Sequence, residues 1–181
     1  MKRTAIWDTP HSYGSVSRIL HWTMAVMIGV VYCLGDLARD NHDDDLIELH
    51  NSLGMLILLL ALFRIIWRLV NPKIENESPD IHHLVTFEIV VTIFYVTMLL
   101  MPITGYVFLN LEGRELIFFG VPLPNIVSPN PNYQALGHSL HRLLSNALIC
   151  AFVLHIAGGL YHSLILRKNI FQRILSGRSG K

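Results

Sequence analysis

Residues 145–166 read SNALICAFVLHIAGGLYHSLIL, twenty-two positions without one formal charge. At 1.5 Å per residue such a helix is about 33 Å long, enough to cross the apolar core of a bilayer, for which about twenty apolar residues suffice. The apolar run reaches back to Leu136, so a transmembrane helix is expected over 136–166. Histidines 141, 155 and 162 lie inside it. Ionisable side chains in a span signal function, because burying one without a partner is costly.

Three further runs have the same character. Residues 19–35, ILHWTMAVMIGVVYCLG, carry no charge, 51–63 read NSLGMLILLLALF, and 84–111 hold Glu88 as their single charge. Helices are therefore expected at about 16–36, 46–70, 84–111 and 136–166, within one domain over 1–181: an all-α, four-helix transmembrane bundle running up-down-up-down. Composition agrees, with 52% hydrophobic and 15% charged residues against about 45–50% and 25% in soluble domains. A cleaved signal peptide fits poorly, since the first run lies behind eighteen polar or mixed residues with no small-residue cleavage site after it. Four buried helices of a soluble protein would leave too little polar surface. A net charge of +1 argues against a nucleic-acid partner.

Charge orients the bundle. Segments 1–18, 64–83 and 167–181 hold eleven of the fourteen basic residues: Lys2, Arg3, Arg18, Arg64, Arg68, Lys73, Arg167, Lys168, Arg173, Arg178 and Lys181. Arg39, Arg114 and Arg142 lie on the other side with eight acids. By the positive-inside rule both termini face the cytoplasm, and Trp7, Trp22 and Trp67 fall near that boundary. Two connections face outward. One spans Asp36 to Asp45 and is acidic; the other, Glu112 to Tyr133, has prolines at 122, 124, 129 and 131 and reads as an irregular cap.

The ten histidines sort by depth. Counting inward at about 1.5 Å per residue, His50 and His141 both lie about 5–6 Å in, while His21 and His155 lie about 22 and 25 Å in. Fourteen residues separate His141 from His155, a rise of about 21 Å that returns to within about 40° of the same helix face. Two pairs at two depths suit two stacked haems better than a zinc site, which gathers four ligands at one point. Cys33 and Cys150 form no CxxCH attachment motif, so the haems are expected to be b-type. Gly29, Gly54, Gly158 and Gly159 are candidates for giving a flat macrocycle room.

LHWTM around His21, ELHNSLGMLILLLALFRIIWRL around His50, MPITGY in the third span and HRLLSNALICAFVLHIAGGLYH in the fourth resemble the bacterial cytochrome b561 family over about residues 12–175. The resemblance implies two haem b groups, the inner held by His21 and His155 and the outer by His50 and His141, in an inner-membrane protein that passes electrons to or from ubiquinone or another quinone. It also implies superoxide:quinone oxidoreductase activity as a candidate reaction, since family members include proteins that oxidise superoxide. Two features depart from the pattern. Glu88 and Val91 stand where some members have histidines, and the 36–48 region is acidic, a mouth that repels an anion such as superoxide.

The remaining candidates follow from position. Arg18 and Arg142, beside His21 and His141, are placed to pair with haem propionates. Phospholipid contact accounts for Arg64 and Arg68. His162, two turns beyond His155, and Glu88 are quinone or proton-relay candidates. The acidic 36–48 loop is a docking candidate for a periplasmic redox protein, and lipid surrounds the rest. His138 reads as cover for the outer haem, and His11, His42, His82 and His83 as surface residues. Rival readings are a haem-bearing anchor subunit of a larger dehydrogenase or hydrogenase, a carrier between quinol and a periplasmic redox protein, and a transporter or structural bundle using histidines as a proton path.

Overall fold

A computed structural model describes residues 6–72, 81–167 and 170–176, with main chain alone over 81–87 and 170–172. Lys2, Arg3, Lys73, Lys168, Arg178 and Lys181 lie outside the described residues, as do the side chains of His82 and His83.

Four long helices dominate: α1 (Ser15–Asn41), α2 (Asp44–Val70), α3 (Ile81–Leu111) and α4 (Pro131–Leu160), which runs on through a wide π-helical turn at Tyr161–Ile165. All four are long and apolar enough to cross a membrane. A two-stranded antiparallel ribbon, β1 (Ile117–Phe118) and β2 (Val121–Pro122), lies between α3 and α4, and a short α5 (Ile170–Ser176) closes the chain. Neighbours in sequence pack together, α1 on α2, α2 on α3 and α3 on α4. The N-terminal segment and α5 thus share one end of the bundle, here the termini end; the α1–α2 turn and the ribbon share the other, the cap end.

Helix boundaries depart from the sequence expectation most at the end of α1 and the start of α4, and α3 begins at Ile81, three residues early. The first acidic connection is not a loop from Asp36 to Asp45, because α1 continues to Asn41. The chain reverses at His42, which adopts a left-handed conformation, and Asp43 caps α2 by accepting the Asp45 and Leu46 amides. A carboxylate there also meets the positive end of the helix dipole. In the fourth helix, Pro131 is the first helical residue and not a loop residue, with Asn130 as cap. Proline suits that position, where its missing amide would have no intrahelical acceptor.

The core lies midway along the bundle, where Met24, Ile28, Val31, Ile57, Ala61, Met98, Met101 and Leu148 are buried together. Large apolar side chains such as Ile19, Val26, Phe63, Leu143 and Val153 are exposed around it. That inversion is expected of helices solvated by lipid.

Polar anchors hold both ends. At the cap end, fully buried Asn110 donates to the Arg114 carbonyl and Asn125 Oδ1 and accepts the Ile126 amide. Ser52, on α2, donates to the Ile117 carbonyl and accepts the Phe119 amide, seating the ribbon. At the termini end Trp7 stacks on Trp67 at 4.7 Å, Trp67 donates to Ser17 Oγ, and Trp22 donates to the Ile174 carbonyl. Asp8 accepts the Gly14 amide and the Ser17 hydroxyl, tying the N-terminal segment to the start of α1.

Candidate functional site

Two pairs of imidazoles face each other inside the bundle. His21 (α1) and His155 (α4) have ring centroids 6.1 Å apart, and His50 (α2) and His141 (α4) are 6.2 Å apart. All four rings are half-buried. A ring nitrogen lies about 1.1 Å from the ring centre and binds a first-row metal at about 2.0 Å, so two imidazoles on opposite sides of one ion have centroids about 6.2 Å apart. Both pairs have that spacing. Among the described residues no three His, Cys, Asp or Glu side chains converge on one point. Two imidazoles at each level, with no third such side chain beside them among the described residues, would suit a macrocycle held by a histidine pair. The residues fit haem, with His50 and His141 at the cap end and His21 and His155 at the termini end.

The cap-end pair is built by backbone. His50 Nδ1 lies 2.9 Å from the Val31 carbonyl oxygen, and His141 Nδ1 lies 3.1 Å from that of Met101. An N–H on Nδ1 donated to a carbonyl leaves the Nε2 lone pair free for a metal and fixes the ring orientation. Four residues beyond each carbonyl stands a glycine. A Cβ on Gly35 would meet His50 Cε1 at 2.8 Å, and one on Gly105 would meet His141 Cε1 at 3.1 Å. Each ring is thus seated in a notch that a side chain would fill. The MPITG segment explains itself in the same terms: Met101 gives the carbonyl, Gly105 the notch, and Thr104 donates back to Met101 O at 2.8 Å, 3.5 Å from His141 Nδ1.

Between these two histidines is a half-open cleft lined by Gly54, Pro102, Gly105, Tyr106 and Leu148 among others. Gly54 has nothing within 4 Å of where a Cβ would sit, so it widens the cleft. Gly29 and Gly158 likewise face open space. Among the described glycines, Gly35 and Gly105 are the ones in close contact with the His50 and His141 rings.

The termini-end pair is built by side chains. Arg64 reaches inward from α2, its Nη2 3.1 Å from His21 Nδ1 and its Nη1 3.9 Å from the sulfur of buried Met24. Phospholipid contact is therefore the wrong account of Arg64. Phe94 presents its ring edge-on to His155 at 5.3 Å. Arg68 does lie at the surface, over the Tyr95 ring.

Of the other candidates, Arg18 donates to the carbonyls of Gly14 and Leu175, joining α1 to α5. Arg142 is exposed beside His141. His162 is half-buried in the π-helical turn, edge-on to Tyr161, and Glu88 is exposed where the membrane-crossing part of α3 begins. His138 rests against Phe108 at 5.4 Å. In the acidic stretch Asp36 and Asp40 pair with Arg39, and Asp44 with Arg114.

The family model for prokaryotic cytochrome b561 matches residues 12–177. The chain is similar to cytochrome b561 homolog 2 of Escherichia coli K12, 24% identical over 187 aligned positions covering 95% of each chain. It is also similar to cytochrome b561 homolog 1 of the same organism, 23% identical over 166 positions covering 88% of this chain and 94% of the relative.

Proposed function

The chain belongs to the prokaryotic cytochrome b561 family, that of multi-pass, haem b-binding electron-transfer proteins, and from that premise we propose that it carries two haem b groups and passes single electrons across the bacterial inner membrane to or from the quinone pool. The observation that carries the reading is the pair of facing imidazoles at each level of the bundle, 6.1 and 6.2 Å between centroids. His21 and His155 hold one haem, His50 and His141 the other. Bound haem supplies a one-electron ferric/ferrous couple whose potential the protein tunes.

The chain's own residues do the rest. The Val31 and Met101 carbonyls orient the cap-end ligands through Nδ1. Arg142, beside His141, is placed to pair with a propionate there; Arg18 already binds two carbonyls, leaving Arg64 as the cation facing the termini-end pair. Reducing a quinone takes two electrons and two protons, and His162 and Glu88, toward the termini end, are the proton-carrying side chains proposed for that exchange. Both termini face the cytoplasm, because the basic residues crowd that side.

At the cap end, eight acids against three arginines make a negative periplasmic mouth. A cationic redox protein is the partner that surface favours; superoxide, an anion, is repelled. A purified chain with about two haems and a low-spin visible spectrum is expected. His21→Ala and His50→Ala should each remove a different haem; one haem in the wild type, or haem content indifferent to both substitutions, would sink the reading. Stopped-flow mixing of the oxidised protein with superoxide tests the alternative substrate: reduction faster than spontaneous dismutation would restore it.

A further inference from the structure

The two histidine pairs receive opposite electrostatic treatment. His50 and His141 each face a carbonyl oxygen through Nδ1, which increases electron donation by the imidazole and favours the more positive, oxidised metal. His21 instead has a guanidinium 3.1 Å from Nδ1. Arginine has no acceptor and keeps its proton at any pH the protein meets. With its proton on Nε2, His21 accepts from Arg64 at Nδ1; when Nε2 binds a metal the proton sits on Nδ1, that hydrogen bond is lost, and the guanidinium remains nearby as a fixed positive charge.

Among the described residues of the chain itself, little offsets that charge. Arg64 lies six residues before the end of α2, about 9 Å inside it, and contacts Met24, which is 1% exposed. Its head group has therefore not snorkelled to the surface. Among the described residues no carboxylate stands within ion-pair distance of it. Tyr13 lies close enough to Arg64 to feel its field, but burial pushes the phenol pKa above its ordinary value, so Tyr13 stays neutral. A ferric haem gains an electron, and one unit of negative charge, on reduction; a neighbouring cation favours that change, more so in a poorly screening interior.

We propose that Arg64 sets the balance between the two haems: its charge beside His21 makes the termini-end haem the easier one to reduce. The proposal rests on the two-haem reading. Arg64 is a positioning residue for charge, neither a ligand nor a proton carrier. Its consequence is that a single electron in the bundle resides mostly at the termini end.

The test is an anaerobic redox titration of the purified, haem-loaded protein, followed in the visible bands. His155→Ala and His50→Ala assign the components. Two components are expected in the wild type, the higher-potential one missing from His155→Ala. Arg64→Gln should lower that component alone, shifting electron sharing between the haems by at least about tenfold, or 59 mV for one electron. Arg64→Lys, which keeps the charge, should retain most of the wild-type ratio. Two bound haems whose ratio ignores Arg64→Gln, or a shift confined to the cap-end component, would overturn the proposal and leave the two-haem reading standing. If Arg64→Gln fails to hold the termini-end haem, the wild-type assignment still decides, since a lower potential at that end overturns it. A wild type that binds fewer than two haems defeats the underlying reading instead.

Discussion

The two histidine pairs share a spacing and differ in construction. At the cap end, carbonyls of Val31 and Met101 hold the rings and glycines 35 and 105 make room for them. At the termini end Arg64 and Phe94 surround the pair. A backbone-built site has its acceptors fixed by helix geometry, so it changes only when helices move or a notch is filled. A side-chain-built site is adjustable by point substitution. One end is set by packing and the other by charge, which is a physical basis for the two haems of the proposed reading to behave differently.

The strongest test of the distinction removes ligands. His141→Ala should abolish the cap-end haem and leave the termini-end spectrum in place, halving haem per chain by pyridine haemochrome assay. His155→Ala should do the converse. Loss of both haems from either variant would mean that the two levels are one cooperative unit, and the comparison would collapse.

Filling a notch is the next largest effect. Gly35→Ala places a methyl 2.8 Å from His50 Cε1, closer than real contacts allow, against 3.1 Å for Gly105→Ala at His141. Disturbing the groups that orient a ligand typically costs about 10–100-fold in metal affinity. Gly35→Ala should fall in that range for the cap-end haem, measured by haem titration, and Gly105→Ala below it. If Gly35→Ala and Gly105→Ala both leave haem affinity unchanged, the notches are not what seats His50 and His141.

Depth was readable from the sequence because the rise of an α-helix is constant: residue counts alone put His50 level with His141 and His21 level with His155. Rotation about the helix axes was not. α3 is apolar on every side, so its composition does not mark the face that meets α4, and Gly105 looks like any other glycine in a span. Arg64 and Arg68 lie one turn apart near the same boundary and read alike as interfacial arginines. Only the packing of α1 against α2 sends Arg64 toward His21 and leaves Arg68 at the surface. Helix ends were obscured for a different reason: acids and prolines read as loop signals, yet Asp43 and Pro131 are capping and first-turn residues.

Salt should separate the ends as well. The cap-end surface is acidic, and the Debye length shrinks from about 30 Å to about 8 Å between 0.01 and 0.15 M salt. Electron exchange with a cationic redox protein should therefore slow by about tenfold over that range, whereas exchange with a neutral quinone in detergent should change little. Stopped-flow rates at several ionic strengths measure both. Equal salt dependence would show that the acidic mouth does no steering.

The smallest effect concerns the one asymmetry within the cap-end pair. The Met101 carbonyl accepts from both His141 and Thr104, whereas no side-chain hydroxyl shares the Val31 carbonyl among the described residues. Sharing weakens the carbonyl as an acceptor for the imidazole N–H. Thr104→Val removes the competing hydroxyl at nearly constant volume, so His141 should donate more strongly to its metal and the cap-end potential should fall. The change should be smaller than that from Arg64→Gln, because a redistributed neutral hydrogen bond perturbs a charge less than removal of a cation does. It should also have the opposite consequence for assignment, moving only the lower-potential component. A rise in that component on Thr104→Val would mean that Thr104 supports the carbonyl as a positioning group, and the two carbonyl seats would then differ in rigidity and not in basicity.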